Sequence, residues 1–346
     1  MTTRKNLAFT RSVLVLSLAV GALALIGRTP VLEAQGRPDL EALHQRLLPL
    51  FEQSGIVFTD ADETRGRLVV GVLNRGNSEG QVRGRLRALG IDSQSVDVVE
   101  TEPIFALATL RDRSPDVEGG LQIRFSQYLC SLGFVAETAS GAGFVTASHC
   151  SDSQGAVDGT RYYQPLNQDP NDWIGTEIAD PAYVRNGAGC PKGKKCRRSD
   201  ANFSLASGAR ELALGVIART DRPGSLTIVT GSPYNITAEG TAGAGMTVHK
   251  VGRTTGWTNG NVSNTCVNTG VSGTSIVLLC QTFVTSSGVI VDGGDSGSPA
   301  FRITDGNNNV TLVGVLWGGN QTGTQFVYSP IANIEAELGP LTTHLP

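Results

Sequence analysis

This 346-residue sequence predicts an all-β protein built from barrels or sandwiches, preceded by a smaller α/β segment. Three observations lead there. Glycine is abundant, at 43 residues, while only 17% of residues are charged, and short Val/Ile/Thr-rich runs are repeatedly broken by Gly, Asn and Ser. All six cysteines lie at or beyond Cys130, so the second two-thirds of the chain differs in texture from what precedes it. The cysteine-free stretch over 35–118 instead alternates strand-like and helix-like patterns. A net charge of −3 leaves no basic surface for nucleic acid, and Lys192-Gly193-Lys194-Lys195 reads as a solvated loop.

At the N-terminus, Arg4, Lys5 and Arg11 flank an apolar run, Val13 to Ile26, that is too short and too asymmetric for an ordinary membrane span. Residues 1–34 are therefore expected to be a secretory signal peptide ending near Ala34; left uncut, the run would be an anchor. Leu40, Leu43, Leu47 and Phe51 then recur at helical spacing. Arg67 to Leu73 reads as a strand, Ser78 to Leu89 as a helix burying Val82, Leu86 and Leu89 and stopped at Gly90, and Ser95 to Glu100 as a second strand. Together these make one βαβ unit.

Beyond residue 119 the informative strings are chemical. Gly294-Asp295-Ser296-Gly297-Ser298-Pro299 sets a serine between glycines in a tight turn. A serine hydroxyl is a weak nucleophile at neutral pH, so it needs a base and a group to orient that base. Of four histidines only His149, in Gly143-Phe144-Val145-Thr146-Ala147-Ser148-His149-Cys150, closes a short apolar run that reads as a buried strand. His44, His249 and His344 have no such setting. Asp200, entering the alternating segment Ala201-Asn202-Phe203, is the favoured orienting carboxylate, with Asp172 and Asp180 as rivals. The chain order His149, Asp200, Ser296 is one of three known to build such a constellation.

These strings resemble the chymotrypsin-like (trypsin-like) serine protease family. Its signatures are Thr-Ala-Ala-His-Cys and Gly-Asp-Ser-Gly-Gly-Pro, from which Ser148 and Ser298 depart. Gly252-Arg253-Thr254-Thr255-Gly256 is similar to a segment of the bacterial branch that contains α-lytic protease and the streptogrisins. The resemblance spans roughly residues 120–346. It implies a double six-stranded β-barrel of chymotrypsin type over 119–346, with His149 and Asp200 from the first barrel and Ser296 from the second. It also implies serine endopeptidase activity through an acyl-enzyme, no cofactor or metal, and an oxyanion hole formed by the backbone N–H groups of Gly294 and Ser296. Residues 35–118 occupy the place of an α/β pro-region, expected to be cut off between Arg111 and Gly120. The partners expected are thus protein or peptide substrates and the chain's own pro-region, with no nucleic acid and no stable membrane association, in a secreted, extracellular zymogen.

The resemblance pairs Cys130 with Cys150. Proximity adds Cys190 with Cys196, and Cys266 with Cys280 across a hairpin; an even count behind a signal peptide fits disulfides in an oxidising compartment. Counting back from Ser296 puts the family's pocket base at Ile290, beside Val291, which favours an apolar side chain at the cleaved position. Leu316-Trp317-Gly318 stands where the family has Ser-Trp-Gly, so the serine that supports the aspartate is missing, and this strand is expected to pair with substrate backbone. Gly256 to Asn261 reads as a turn and Thr311 to Leu316 as a strand. The departures Leu316 and Ser298 also leave open a non-catalytic homologue acting as a binding module.

Overall fold

A computed structural model describes residues 38–345 except 105, 188 and 307; the signal-peptide expectation over 1–34 falls outside them. The chain divides into two compact units between residues 104 and 105.

In the first unit, α1 (Pro38–Gln45) is followed by β1 (Ile56–Asp62), β2 (Arg67–Val72), α2 (Arg75–Ala88) and β3 (Val96–Glu100). The predicted βαβ unit is present: β2 and β3 pair in parallel and α2 connects them. Helix α2 starts earlier than its apolar periodicity suggested, because the Asn74 side chain caps it by accepting the Asn77 N–H at 3.1 Å. Val82 and Leu86 are fully buried, and Leu89 partly. Strand β1, antiparallel to β2, was not anticipated, since Asp60 and Asp62 interrupt its apolar pattern. Phe51 is 48% exposed while Leu47 and Leu50 are fully buried. The chain leaves the α-helix after Gln45 and tightens into a 3₁₀ turn over Leu48–Glu52, which breaks the 3.6-residue spacing.

The second unit contains β4 (Val117–Gly119), β5 (Gln122–Phe125), β6 (Tyr128–Ser131), β7 (Phe134–Thr138), β8 (Gly141–Thr146), β9 (Arg161–Tyr163), β10 (Trp173–Ala179), β11 (Val184–Arg185), β12 (Lys195–Arg197) and β13 (Asn202–Ala206). There follow β14 (Leu212–Ile217), β15 (Tyr234–Glu239), β16 (Thr247–Gly252), β17 (Gly256–Gly270), β18 (Ile276–Thr285), β19 (Pro299–Ile303), β20 (Asn309–Gly319), β21 (Gln325–Pro330) and α3 (Ile331–Leu338). The first sheet runs β6-β5-β9-β10-β13-β8-β7. Its two ends, β6 and β7, are successive lengths of one chain segment bent at Leu132-Gly133, so six strand positions close on themselves. In the second sheet, β18-β17-β16-β19-β20-β21 forms a six-membered antiparallel ring, closed where β21 pairs with β18. Shorter strands extend that sheet beyond the ring. The expected architecture of two six-stranded barrels is thus read directly from strand pairing.

The barrels share a core. Phe134, Val145 and Phe203 from the first join Val251, Phe301 and Val315 from the second in one buried cluster. Fully burying each such side chain contributes about 1.5–3 kcal/mol. All three expected disulfides are formed: Cys130–Cys150, Cys190–Cys196 and Cys266–Cys280. No helix among the described residues is long and apolar enough to cross a membrane.

Two expectations need correcting. The barrel unit begins at 105 rather than 119: Leu110 and Val117 are fully buried in it and β4 pairs with β14. The turn expected at Gly256–Asn261 lies instead at Arg253–Thr255, and Gly256 opens β17 in register with β16. Gly256 has φ +65°, and a Cβ there would stand 1.9 Å from the Ser225 carbonyl oxygen. Gly273 has a similar φ of +76° with nothing within 4 Å. Gly273→Ala is therefore expected to cost about 1 kcal/mol, the left-handed backbone alone, and Gly256→Ala roughly 3 kcal/mol or more. Urea unfolding midpoints of the two variants check this; equal losses would show that the Ser225 contact is not a constraint.

Candidate active site

Strands β8 and β13 pair antiparallel, with Thr146 opposite Asn202. The chain leaving β8 and the chain entering β13 therefore lie at the same end of the barrel, which brings His149 and Asp200 together. His149 Nδ1 is 2.8 Å from Asp200 Oδ2, and the His149 backbone N–H donates to Asp200 Oδ1 at 3.0 Å. The carboxylate is 2% exposed and the imidazole 33%, so the pair is buried on the aspartate side and open on the other. Burial opposes charge on both groups, yet the mutual attraction and hydrogen bond prevail. The His149 pKa lies above its ordinary 6.5 and that of Asp200 below its ordinary range, Arg197 also favouring the carboxylate.

The serine missing at position 316 has replacements that the sequence reading did not find. Gln154 Nε2 donates to Asp200 Oδ2 at 3.3 Å, and the Asp200 N–H donates to Ser329 Oγ at 2.9 Å. Ser329 Oγ in turn donates to Gln281 Oε1, which also accepts the Trp317 indole N–H. Neither rival aspartate faces the imidazole: Asp172 pairs with Arg113 at 2.9 Å and Asp180 with Arg197 at 2.7 Å. His249 is stacked between Trp257 and Phe301, and burial pulls its pKa down to about 4.

Ser296 sits in the turn before β19. His149, Gly294 and Ser296 line one cavity of about 290 Å³ with Cys130 and Leu129. Ser131, at the end of β6, fixes this turn: its N–H donates to the Ser296 carbonyl at 2.8 Å and its hydroxyl to the Gly294 carbonyl at 2.9 Å. Gly297 has φ +90°, and a Cβ there would meet the Ser131 carbonyl oxygen at 2.1 Å, so only glycine fits. Among the described residues neither the Gly294 nor the Ser296 backbone N–H has an intramolecular acceptor. Asp295, fully buried, accepts from the N–H groups of Thr254, Thr255 and Asp292 and pairs with the equally buried Lys250 at 3.3 Å. Ser298 is accommodated: its hydroxyl donates to the Asp295 carbonyl at 2.6 Å and occupies the space over Gly252 where a Cβ would stand.

A cavity of about 360 Å³ opens beside Ser296, lined by Val289, Val291, Leu316, Gly318 and the polar run Asn320-Gln321-Thr322. Of the residues the sequence reading assigned to substrate binding, Val291, Leu316 and Gly318 line this cavity. Ile290 does not line it: it is 4% exposed and packs in the core with Val248, Val262 and Phe326, whereas Val289 is exposed and Val291, buried in the same cluster, borders the cavity. Trp317 lines a second cavity of about 560 Å³ with His149, Val271, Phe283 and Val327. Leu316 cannot offer its backbone as an edge, since its N–H and carbonyl are already bonded to Ser298 and Gly297; the open edge starts at Trp317.

The departure Ser148 also has a place. Its hydroxyl donates to Asp180 at 2.7 Å and accepts from Arg197 at 3.1 Å. Arg197, 1% exposed, reaches the Ala201 carbonyl at 2.7 Å, so one guanidinium ties the His149 turn to the Asp200 turn. Glu337 of α3 closes the cluster through Ser199 Oγ at 2.6 Å.

No family model matches the chain, and no curated protein matches it. Among solved structures it is similar to Thermobifida fusca Protease A at 24% identity, covering 67% of this chain and 100% of that one with a TM-score of 0.47. The corresponding values for Nocardiopsis Protease are 24%, 66%, 100% and 0.46, and for an alpha-lytic protease homolog 21%, 66%, 100% and 0.46.

Removing Arg197 alone would leave Asp180 charged and buried without its partner. Arg197→Ala is expected to cost about 3–5 kcal/mol, and the double variant Arg197→Met with Asp180→Leu clearly less. Guanidinium unfolding of both variants checks this; a double variant as unstable as the single one would refute it.

Proposed function

We propose that this chain is a secreted serine endopeptidase, made as a precursor, in which Ser296 is the nucleophile, His149 the base and Asp200 the orienting carboxylate. The observation that carries the reading is the 2.8 Å His149–Asp200 pair opening onto the same cavity as Ser296 and two backbone N–H groups without acceptors. Ser296 Oγ attacks a peptide carbonyl while His149 Nε2 takes its proton; the proton then passes to the leaving amine and an acyl-enzyme remains. Water, activated by the same imidazole, releases the acyl group. Asp200 holds the tautomer that leaves Nε2 free to accept, and stabilises the imidazolium. The N–H groups of Gly294 and Ser296 take the charge developing on the carbonyl oxygen, each worth about 3 kcal/mol or more in such sites. The buried Lys250–Asp295 pair and the Thr254 and Thr255 amides hold the turn that carries those donors.

Three disulfides support an oxidising, extracellular setting. Substrate backbone is taken along the open edge beginning at Trp317, and an apolar side chain enters the cavity walled by Val289, Val291 and Leu316. The βαβ unit ahead of residue 105 is the pro-segment. The features that favoured a non-catalytic binding module lose their force here: Ser298 is packed without disturbing the turn, and Gln154 and Ser329 support Asp200 in place of a serine at 316.

A fluorophosphonate probe is expected to label Ser296 of the mature protein, and Ser296→Ala to lower turnover on the order of a million-fold. Absence of label together with undiminished activity in the variant would remove the proposal. Because the neutral imidazole is the working base and its pKa is raised, kcat/KM should climb with pH through a midpoint above 6.5. In Asp200→Asn the drop should be about 10⁴-fold, with the midpoint moved to lower pH. A pH–rate profile of wild type and variant reads both; a midpoint unmoved by Asp200→Asn would assign the titration to another group.

A further inference from the structure

The run Asp112-Arg113-Ser114-Pro115-Asp116-Val117-Glu118 carries three acids against one base. In β4 Val117 is fully buried and stands beside Leu212 of β14, so the alternation of the strand sends Glu118 to the opposite face, where it is half-buried. There it lines a cavity of about 330 Å³ with Asp116, Ala213, Val216, Ile228 and Val229. None of the residues around this cavity borders the three cavities at Ser296 and His149, and the site stands independently of the chemistry there. We infer that this cavity binds a primary alkylammonium group, a lysine side chain of another protein or a free aliphatic amine, through the Glu118 carboxylate.

The charged groups around the cavity differ in what they already hold. Asp112 accepts the Thr109 N–H and hydroxyl at 2.8 and 3.0 Å, Arg113 pairs with Asp172 at 2.9 Å, and Arg219 Nη1 donates to Ser232 Oγ at 2.9 Å. Among the described residues no hydrogen bond or ion pair reaches the carboxylate of Glu118 or of Asp116. Burial, with repulsion from Asp116, raises the Glu118 carboxyl to about 7, and no cation opposes the two effects. A carboxylate taken partly out of water without a donor is costly, and a cation brought to it removes that cost. Two carboxylates are too few oxygens for a calcium or magnesium ion, which takes six or more. An ammonium offers three donors and suits them. The aliphatic walls then cover a methylene stem, much as lysine lays its own along apolar surface. A cavity that is mostly apolar, with a few convergent polar groups and a shifted carboxyl, is the usual form of a small-ligand site.

The test titrates n-butylammonium chloride into the full chain and follows binding by ligand-observed saturation-transfer NMR, in wild type, Glu118→Gln and Ala213→Phe. Wild type is expected to bind with a Kd of about 1 mM, as a ligand of so few atoms allows. Glu118→Gln, which removes an unpaired charge and should not lower the urea midpoint, is expected to bind about tenfold more weakly or worse. Ala213→Phe keeps the carboxylate but fills the cavity, and should lose binding too. The uncharged isostere n-pentanol should not distinguish wild type from Glu118→Gln. Wild-type affinity should rise about tenfold between about pH 6 and pH 8, because the Glu118 carboxyl loses its proton over that range while the amine keeps its own; in Glu118→Gln it should stay flat. No binding to wild type, equal binding to wild type and Glu118→Gln, or a wild-type affinity that ignores pH overturns the inference. A lysine tripeptide amide and its norleucine analogue then separate the two sources. With the same dependence on Glu118, a lysine peptide held more tightly than butylammonium makes the ligand a protein's lysine, and one held no more tightly makes it a free amine.

Discussion

Two adjacent residues at the end of one strand, Cys130 and Ser131, hold the two halves of the site in place. Cys130 is bonded to Cys150, the residue after the proposed base, and Ser131 holds both the Gly294 and the Ser296 carbonyls. The proposed base and the proposed nucleophile belong to different barrels, and under that proposal a displacement of about 1 Å between them would cost roughly a hundredfold in rate. A covalent bond on one side and two hydrogen bonds on the other, both within a single dipeptide, give that displacement little room. Gly297 follows from the same constraint, because the turn must approach the Ser131 carbonyl more closely than any Cβ allows.

Buried charge is the second organising feature. Asp200 and His149, Asp180 and Arg197, and Asp295 and Lys250 are three pairs within one unit, each with an acid less than about a twentieth exposed. Isolated, any of these ions would cost several kcal/mol to desolvate, so each is accompanied by additional donors or acceptors. Stability alone does not require them, since apolar replacements of similar volume would pack as well. What they add is direction: each fixes a turn, not a strand, and the three turns are those at His149, Asp200 and Ser296.

Much of this was legible in the sequence for a definite reason. His149, Asp200 and Ser296 sit in short, nearly contiguous strings whose chemistry is local; Cys190–Cys196 and Cys266–Cys280 follow from short separations, and Cys130–Cys150 from the family resemblance. What escaped reading is non-local. Gln154, Ser329 and Gln281 support Asp200 across 46 and more residues, and nothing in their own neighbourhoods marks them. Lys250 did carry a signal: in Thr247-Val248-His249-Lys250-Val251 it shares the inward alternation of Val248, and a lysine on the core face of a strand calls for a buried acid. The polar stretch after Arg111 misled because its composition is that of a linker, while its backbone is bonded into the barrel by partners about a hundred residues away.

Ile290 illustrates how a count can find the right residue for the wrong reason. Its side chain belongs to the core, but its backbone builds the pocket: the N–H groups of Ile290 and Val291 share the Gly323 carbonyl at 2.7 and 3.2 Å, and the Ile290 carbonyl accepts the Thr258 hydroxyl at 2.7 Å. The Gly323 bonds fasten the segment before Ser296 to the segment after β20, the two sides of the cavity, and the Thr258 bond ties it to β17. The proposed selectivity for an apolar side chain depends on how little those walls yield, because a pocket that can widen loses the few kcal/mol that shape and desolvation supply. Anchoring Ile290 in the core therefore sets the width of a cavity that its own side chain does not line, while Val289 and Val291 give that cavity its apolar wall.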